Sequence, residues 1–181
     1  RGAAIAAWGP LDAQLRRRQA LAVELAECLA TQAAMDDEVG RATLATLTAA
    51  TRQAQAATDH AQVRPTRAGA IQSLALAEGV LEGALRPLRV LIELRPQLLD
   101  APDTGTGLQG LLEALQDCEA QLGFARRLFN DAVRAFNTAV HELPTCLLAA
   151  VYGFKPAATL QVATPDRGPD SQIASVFGER A

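Results

Sequence analysis

Few residues in this chain are of a type that does covalent chemistry, and their spacing does not suit it. The histidines are His60 and His141. A carboxylate-bridged di-iron bundle needs Glu-x-x-His on each of two helices, so that both ligands project from one face a turn apart. Ala57 and Thr138 stand where those glutamates would be. A lone histidine near a helix end reads more simply as a partner for the negative end of the helix dipole. Cys28, Cys118 and Cys146 are far apart and no CxxC occurs. That pattern argues against a zinc knuckle or a redox pair and for thiols that serve as small apolar side chains.

The string DTGTG at 103–107 looks like the active-site string of aspartic proteases. Those enzymes need two such loops, each giving one Asp of a dyad that shares a proton. A second copy is absent here, so the string reads as an interhelical turn with a helix cap. Asp36 and Asp37 fall in what should be the exposed first turn of a helix. Serines are few, and no strand-to-helix elbow is present to expose a nucleophile. Arg16, Arg17 and Arg18 form too short a run for a nucleic-acid footprint and lack interleaved aromatics. No glycine-rich phosphate loop occurs. The residues thus predict no catalytic set, no cofactor and no metal.

The elements that must position these residues are helices. The 181 residues suffice for one domain with a sizeable core. Aromatics make up only 4%, low for a β-rich fold, and much of the 49% hydrophobic share is alanine. A net charge of −3 gives no general attraction to nucleic acid or anionic lipid. No apolar run reaches the roughly 20 residues that span a bilayer.

Residues 3 to about 33 predict a first helix, with Trp8, Leu11, Leu15, Ala22, Leu25 and Leu29 on one stripe. Pro10 suits only a first turn, which would start the regular helix near Gly9. Arg18 falls on the stripe and must snorkel or find an acid. A break near 33–36 precedes a second helix to about residue 60. Asp36, Asp37 and Glu38 suit its N-terminus, and Val39, Leu44 and Leu47 are its only large apolar residues. One unbroken helix over 9–60 would be roughly 75 Å long, and no later element could match it. After Pro65, Ile71, Leu74, Leu81, Leu85, Leu88 and Ile92 mark a third helix over 67–94, with Pro87 set to kink it. A loop to about residue 106 leads to the best-patterned helix, 107–143. Leu108, Leu115, Leu122, Phe129, Phe136 and Leu143 recur there by sevens, and Leu111, Cys118, Ala125, Ala132 and Ala139 fill a second seam. The fold class is all-α: an elongated antiparallel bundle of about four helices with a short C-terminal helical segment.

Beside the fourth helix's apolar seam runs a stripe of amides, Gln109, Gln116, Asn130 and Asn137, interrupted by Gly123. Such amides either fix register inside the bundle or face a partner helix. Pro144 ends the helix, because the residue before a proline avoids the helical region. Thr145–Tyr152 can make two more turns, capped by Gly153 and stopped by Pro156. Leu147, Tyr152, Phe154 and Lys155 in this segment either cover the end of the bundle or form an exposed patch that binds a partner or a membrane interface. The bundle is read as residues 1–163, and the polar, proline-bearing residues 164–181 as a mobile tail.

Three of these segments resemble the LemA family of bacterial proteins. FARRLFNDAVRAFNTAV (124–140) resembles its Ala-Arg-x-x-Tyr-Asn-x-x-Val-x-x-Tyr-Asn-Thr signature. LPTCLLAAVYGFKPA (143–157) resembles its Phe-Pro-Ser-x-x-Ile-Ala-x-x-x-Gly-Phe-Lys-Pro ending, and AWGPLDAQLRRRQAL (7–21) its Trp-x-x-Ile-Asp-x-Gln-Leu-x-Arg-Arg opening. Phenylalanine replaces both signature tyrosines, at 129 and 136, and the aromatic pair that follows Lys-Pro in the family is absent at Thr159-Leu160. The resemblance implies a bundle of about four helices behind a single N-terminal membrane anchor, which would account for a chain starting at Arg1. It implies no catalytic residues.

Two functions follow as expectations. The first is a non-catalytic, membrane-tethered scaffold or adaptor with a protein partner, contacted through Gln109, Gln116, Asn130, Asn137, Leu147, Tyr152, Phe154 and Lys155. The alternative is a small-ligand-binding or enzymatic bundle in which Arg18, Asn130, Asn137 and His141 face an interior pocket.

Overall fold

The computed structural model describes residues 2–99, 105–141 and 157–161, apart from the side chains at 105, 106 and 141. The described residues form four helices: α1 (Gly2–Ala30), α2 (Glu38–Val63), α3 (Ala68–Leu94) and α4 (Gly105–His141). Short 3-10 turns at Ala33–Met35 and Pro96–Leu98 lie between α1 and α2 and after α3. The chain runs up, down, up and down. α1 packs against α2 and α4, and α2 packs against α3. α3 and α4 meet mainly through side chains across a groove, as in the Arg89–Glu119 pair.

The break between the first two helices has a local cause. Asp37 caps α2 by accepting the Gly40 N–H at 2.8 Å. Arg95, just past the end of α3, donates from Nη1 and Nη2 to both oxygens of the Asp37 carboxylate, at 3.1 and 2.6 Å, and also to the Ala34 carbonyl. The bend is therefore tied to the far end of α3. Gly40 is required there: a Cβ at this position would lie 2.5 Å from the Met35 carbonyl oxygen and 2.8 Å from Asp37 Oδ1.

The expected start of regular helix near Gly9 is corrected. α1 begins at Gly2 and runs through Pro10. The proline removes one backbone donor, but Ala4, Ala7, Trp8 and Leu11 are all buried around it. Their burial holds the first two turns in place. Pro87 likewise lies within α3.

The predicted stripes of α1 and α3 are the core, residue for residue. α2 contributes Leu47, Ala50, Ala54 and Ala61, while Val39 is exposed. Its buried threonines, Thr51 and Thr58, return their hydroxyls to the Leu47 and Ala54 carbonyls of their own helix. This local bond lets a polar residue be buried without an unmade hydrogen bond. On α4 the first seam is buried from Leu108 to Phe129. The second seam departs from a strict seven. Cys118 and Ala125 are buried, but Val133 replaces Ala132 as the fully buried residue, and Ala139 is exposed. A straight helix drifts about 20° per heptad against a 3.5-residue repeat, so the inward face advances by one residue near the end. There Trp8 meets Phe129 edge to face, ring centroids 5.7 Å apart.

Candidate functional site

The core is two apolar clusters rather than one. One surrounds Leu25, Leu29, Leu47, Leu85, Leu88 and Leu115, the other Trp8, Leu11, Leu15, Ile71, Leu122 and Phe129. Between them lies a layer of polar side chains. Arg18, 2% exposed, donates from Nη1 to Glu78 Oε2 at 2.9 Å, and Glu78 has no exposure at all. Arg18 Nη2 donates to Glu82 and lies 3.8 Å from Glu119 Oε1. Glu119 also pairs with Arg89. Gln19, buried beside Arg18, donates to Thr58 Oγ1 at 2.8 Å and to Glu78 Oε1 at 3.4 Å. All four helices thus meet at one level: α1, α3 and α4 through charge-assisted bonds, which are stronger than neutral ones, and α2 through the neutral Gln19–Thr58 bond.

Arg126 stands beside this layer. Burial pulls its pKa down, Glu78 pushes it back up, and Arg18 again lowers it. Its Nε has no hydrogen-bond partner among the described residues. Cys118 lies at the α1–α4 seam, with Sγ 3.5 Å from the Gln14 carbonyl oxygen. Burial raises its thiol pKa, against the partial opposition of Arg17 and Arg18. It is held as a thiol and fills space.

The two Phe-Asn pairs of α4 do two jobs. Phe129 and Phe136 turn to the core, fully and partly buried respectively. Asn130 and Asn137 hold the backbone of residues 157–161. Asn137 Nδ2 donates to the Ala157 carbonyl at 2.8 Å, and the Ala157 N–H donates back to Asn137 Oδ1 at 2.9 Å. Asn130 does the same with Leu160, at 3.1 Å to the carbonyl and 2.7 Å from the N–H. An amide suits this exchange because it carries a donor and an acceptor side by side, as a peptide does.

The spacing follows from the two rises. Seven helical residues advance about 10.5 Å, and three residues of extended backbone cover roughly 9–10 Å. Ala157 and Leu160 therefore reach successive asparagines. They turn the same backbone edge to the helix at a three-residue repeat, the period of polyproline II rather than of a β-strand. Ala157 and Leu160 are buried in the cluster around Trp8 and Phe129.

The residues singled out from sequence are thus scattered. Gln109 and Gln116 are exposed on α4. Gln116 lines a groove of about 500 Å³ between α3 and α4 with Arg89, Ile92, Leu112 and Glu119. Asn130 and Asn137 are engaged by the chain's own segment. Arg18 lies in the ionic layer and lines none of the three described grooves, while Asn137 lines one of them with Gln72 and Ala157. His60 is exposed in the last turn of α2, where a dipole contact was expected. His141 ends α4 with its side chain outside the described residues, as are Leu147, Tyr152, Phe154, Lys155 and the predicted tail. Among the described residues, no group of three or more His, Cys, Asp and Glu could hold a metal ion. None of the described helices is long and apolar enough to cross a membrane.

Sequence reasoning found Arg18 but not its partners. The signal was present. The stripe of α3 runs Ile71, Leu74, Leu81, Leu85 and skips a position between Leu74 and Leu81, and Glu78 occupies it. Two stripes, each interrupted by one charge of opposite sign, specify an ion pair.

The LemA family model matches residues 7–173, and the chain belongs to the LemA family. No curated protein matches the chain significantly.

Proposed function

We propose that this member of the LemA family is a non-catalytic helical scaffold, tethered to a membrane through an N-terminal anchor, that docks a protein partner. The observation that carries this reading is where the polar side chains are engaged. Arg18, Gln19, Glu78, Asn130 and Asn137 bond to one another or to the chain's own backbone. These groups hold the bundle in shape. Among what faces outward are the amides Gln109 and Gln116 and a groove between α3 and α4 that Gln116 lines. Such a surface suits recognition by shape and hydrogen bonding. The tether rests on the family resemblance.

The test is photo-crosslinking in the full-length protein in its own membranes, from Gln116 in the groove and from Tyr152 and Phe154 in the segment after α4. A discrete protein adduct is expected from at least one of these positions. Adducts confined to the chain itself, with no protein retained on a wild-type affinity matrix from solubilised membranes, would overturn the adaptor reading. Saturable small-molecule binding to the α3–α4 groove would then favour a ligand-binding bundle.

A further inference from the structure

α3 carries a second apolar seam, on its outer face. Leu76, Val80, Gly83, Pro87, Val90 and Leu94 follow one another at intervals of four, three, four, three and four. All six are exposed, with Leu76 at 72%, Val80 at 46%, Val90 at 53% and Leu94 at 73%. Isolated exposed apolar residues need no explanation. Six successive positions of one heptad-spaced seam, none of them polar, are what a helix shows when another helix lies along it.

Three observations say which helix. The outer seam reads the same in both directions, Leu76 matching Leu94 and Val80 matching Val90, with Gly83 facing Pro87 at its middle, each pair centred on residue 85. A surface that is its own complement after a half-turn is the requirement for a two-fold interface between identical chains. Next, the two residues least suited to a helix interior stand at the centre of the seam. A Cβ on Gly83 would meet nothing within 4 Å, so packing inside this chain does not call for glycine there. Opposite a partner's proline ring, it lets two helix backbones come close. Lastly, the seam offers on the order of 400 Å² of apolar surface per copy, roughly 800 Å² in a pair, below the ~1,000 Å² of a stable interface and in the range of a transient one. Arg86, the charge nearest the centre, is drawn to its own helix by Glu82, 3.9 Å away.

We propose that α3 is a self-association surface, and that two copies pack through this seam antiparallel about a two-fold axis near residue 85. The small area makes the dimer weak and concentration-dependent.

The test begins with sedimentation equilibrium of the 181-residue chain from low micromolar to near-millimolar concentration. The average mass is expected to rise from 19.1 kDa towards twice that value. Val80→Glu and Val90→Glu, both at exposed positions, should each weaken association at least tenfold and leave the helical circular dichroism unchanged. Orientation is read from Leu76→Cys and Leu94→Cys: a disulfide between positions 76 and 94 should form when the two variants are mixed. Self-linking of each variant with no mixed product would mean parallel packing and overturn the proposal. So would a chain that stays monomeric at the highest concentration, its seam covered by its own remaining residues or left for a different protein. Dimerisation that neither glutamate variant weakens would place the interface elsewhere and overturn it too.

Discussion

The ionic layer is open to a decisive test, because its two central charges differ in what replaces them. Arg18→Met leaves the Glu78 carboxylate fully buried with Gln19 Nε2, at 3.4 Å, as its remaining partner. Removing one member of a buried pair costs about 3–5 kcal/mol, because the other charge stays desolvated. Glu78→Leu is milder. Arg18 keeps Glu82, whose side chain is part-exposed, and Glu119 at 3.8 Å. Removing both charges as Arg18→Met with Glu78→Leu leaves a methionine against a leucine, and buried pairs replaced in this way are often neutral or better. The double variant should therefore be more stable than Arg18→Met alone, by about 2 kcal/mol or more. Urea unfolding followed by far-ultraviolet circular dichroism reads this directly. With a slope near 2–3 kcal/mol per molar, Arg18→Met should lower the midpoint by roughly 1.5 M. The reasoning fails if each single variant costs under about 1 kcal/mol and the two add, since that is how a hydrated surface pair behaves.

Three further outcomes are expected. Asn137→Ala removes both bonds to Ala157; at about 0.5–1.5 kcal/mol net for each bond, the Ala157 amide should exchange hydrogen roughly 10- to 100-fold faster. The amides of α1 should not change, and equal protection in the variant would mean that burial alone holds the segment. Gly40→Ala should destabilise by about 1–3 kcal/mol because its Cβ meets the Met35 carbonyl and the cap carboxylate. Gly83→Ala, with open space around it, should stabilise the monomer by about 0.5–1 kcal/mol; thermal unfolding at a dilution that keeps the chain monomeric compares the two. Asp37 has its pKa lowered, first by hydrogen bonding to Arg95 and then by the Gly40 N–H. The stability it adds is present above the unfolded-state pKa and is lost as pH falls through the lower folded-state value. Wild type should lose stability on acidification more steeply than Asp37→Asn in that window, and parallel stability curves for the two proteins would refute the assignment.

What could be read from the sequence, and what could not, divides along physical lines. Burial obeys periodicity, so the stripes of α1, α3 and most of α4 could be read directly, and so could the LemA resemblance carried by residues 7–21 and 124–157. The cap at Asp37 was legible from its acidic run. The start of α1 was misplaced because the penalty at Pro10 is local, while the burial of Ala4, Ala7 and Trp8 that outweighs it is tertiary. The asparagines were recognised as a flanking amide stripe, but a neighbouring helix was expected opposite them. An amide bonds equally well to a side chain or a peptide group, and only the match between helical and extended rises identifies residues 157–161 as the partner. Arg18 announced a need for an acid. Choosing Glu78 among the glutamates required the observation that it too interrupts a stripe.

The same two features resolve an ambiguity that the apolar pattern leaves open. Leu108, Leu115 and Leu122 repeat by sevens, so sliding α4 by one heptad would set leucine where leucine was. Apolar packing alone discriminates poorly between such registers, since size and pattern are kept. The charges discriminate. A slip in one direction replaces Glu119 opposite Arg18 with Leu112; a slip in the other replaces it with Arg126. Shifts of α3 act likewise, setting Ile71 or Leu85 in place of Glu78 and Ala75 or Arg89 in place of Glu82. A slip of α3 thus takes from Arg18 both carboxylates it is bonded to, at a cost of several kcal/mol, and a slip of α4 removes Glu119 from beside Arg18 and Arg89 or sets another guanidinium there. The asparagines extend the constraint along α4. Asn130 and Asn137 hold Leu160 and Ala157, and a shift of the segment by one or two residues would turn the bonded backbone edge away from both asparagines at once. In this protein the groups best equipped for chemistry are the ones that select a single register.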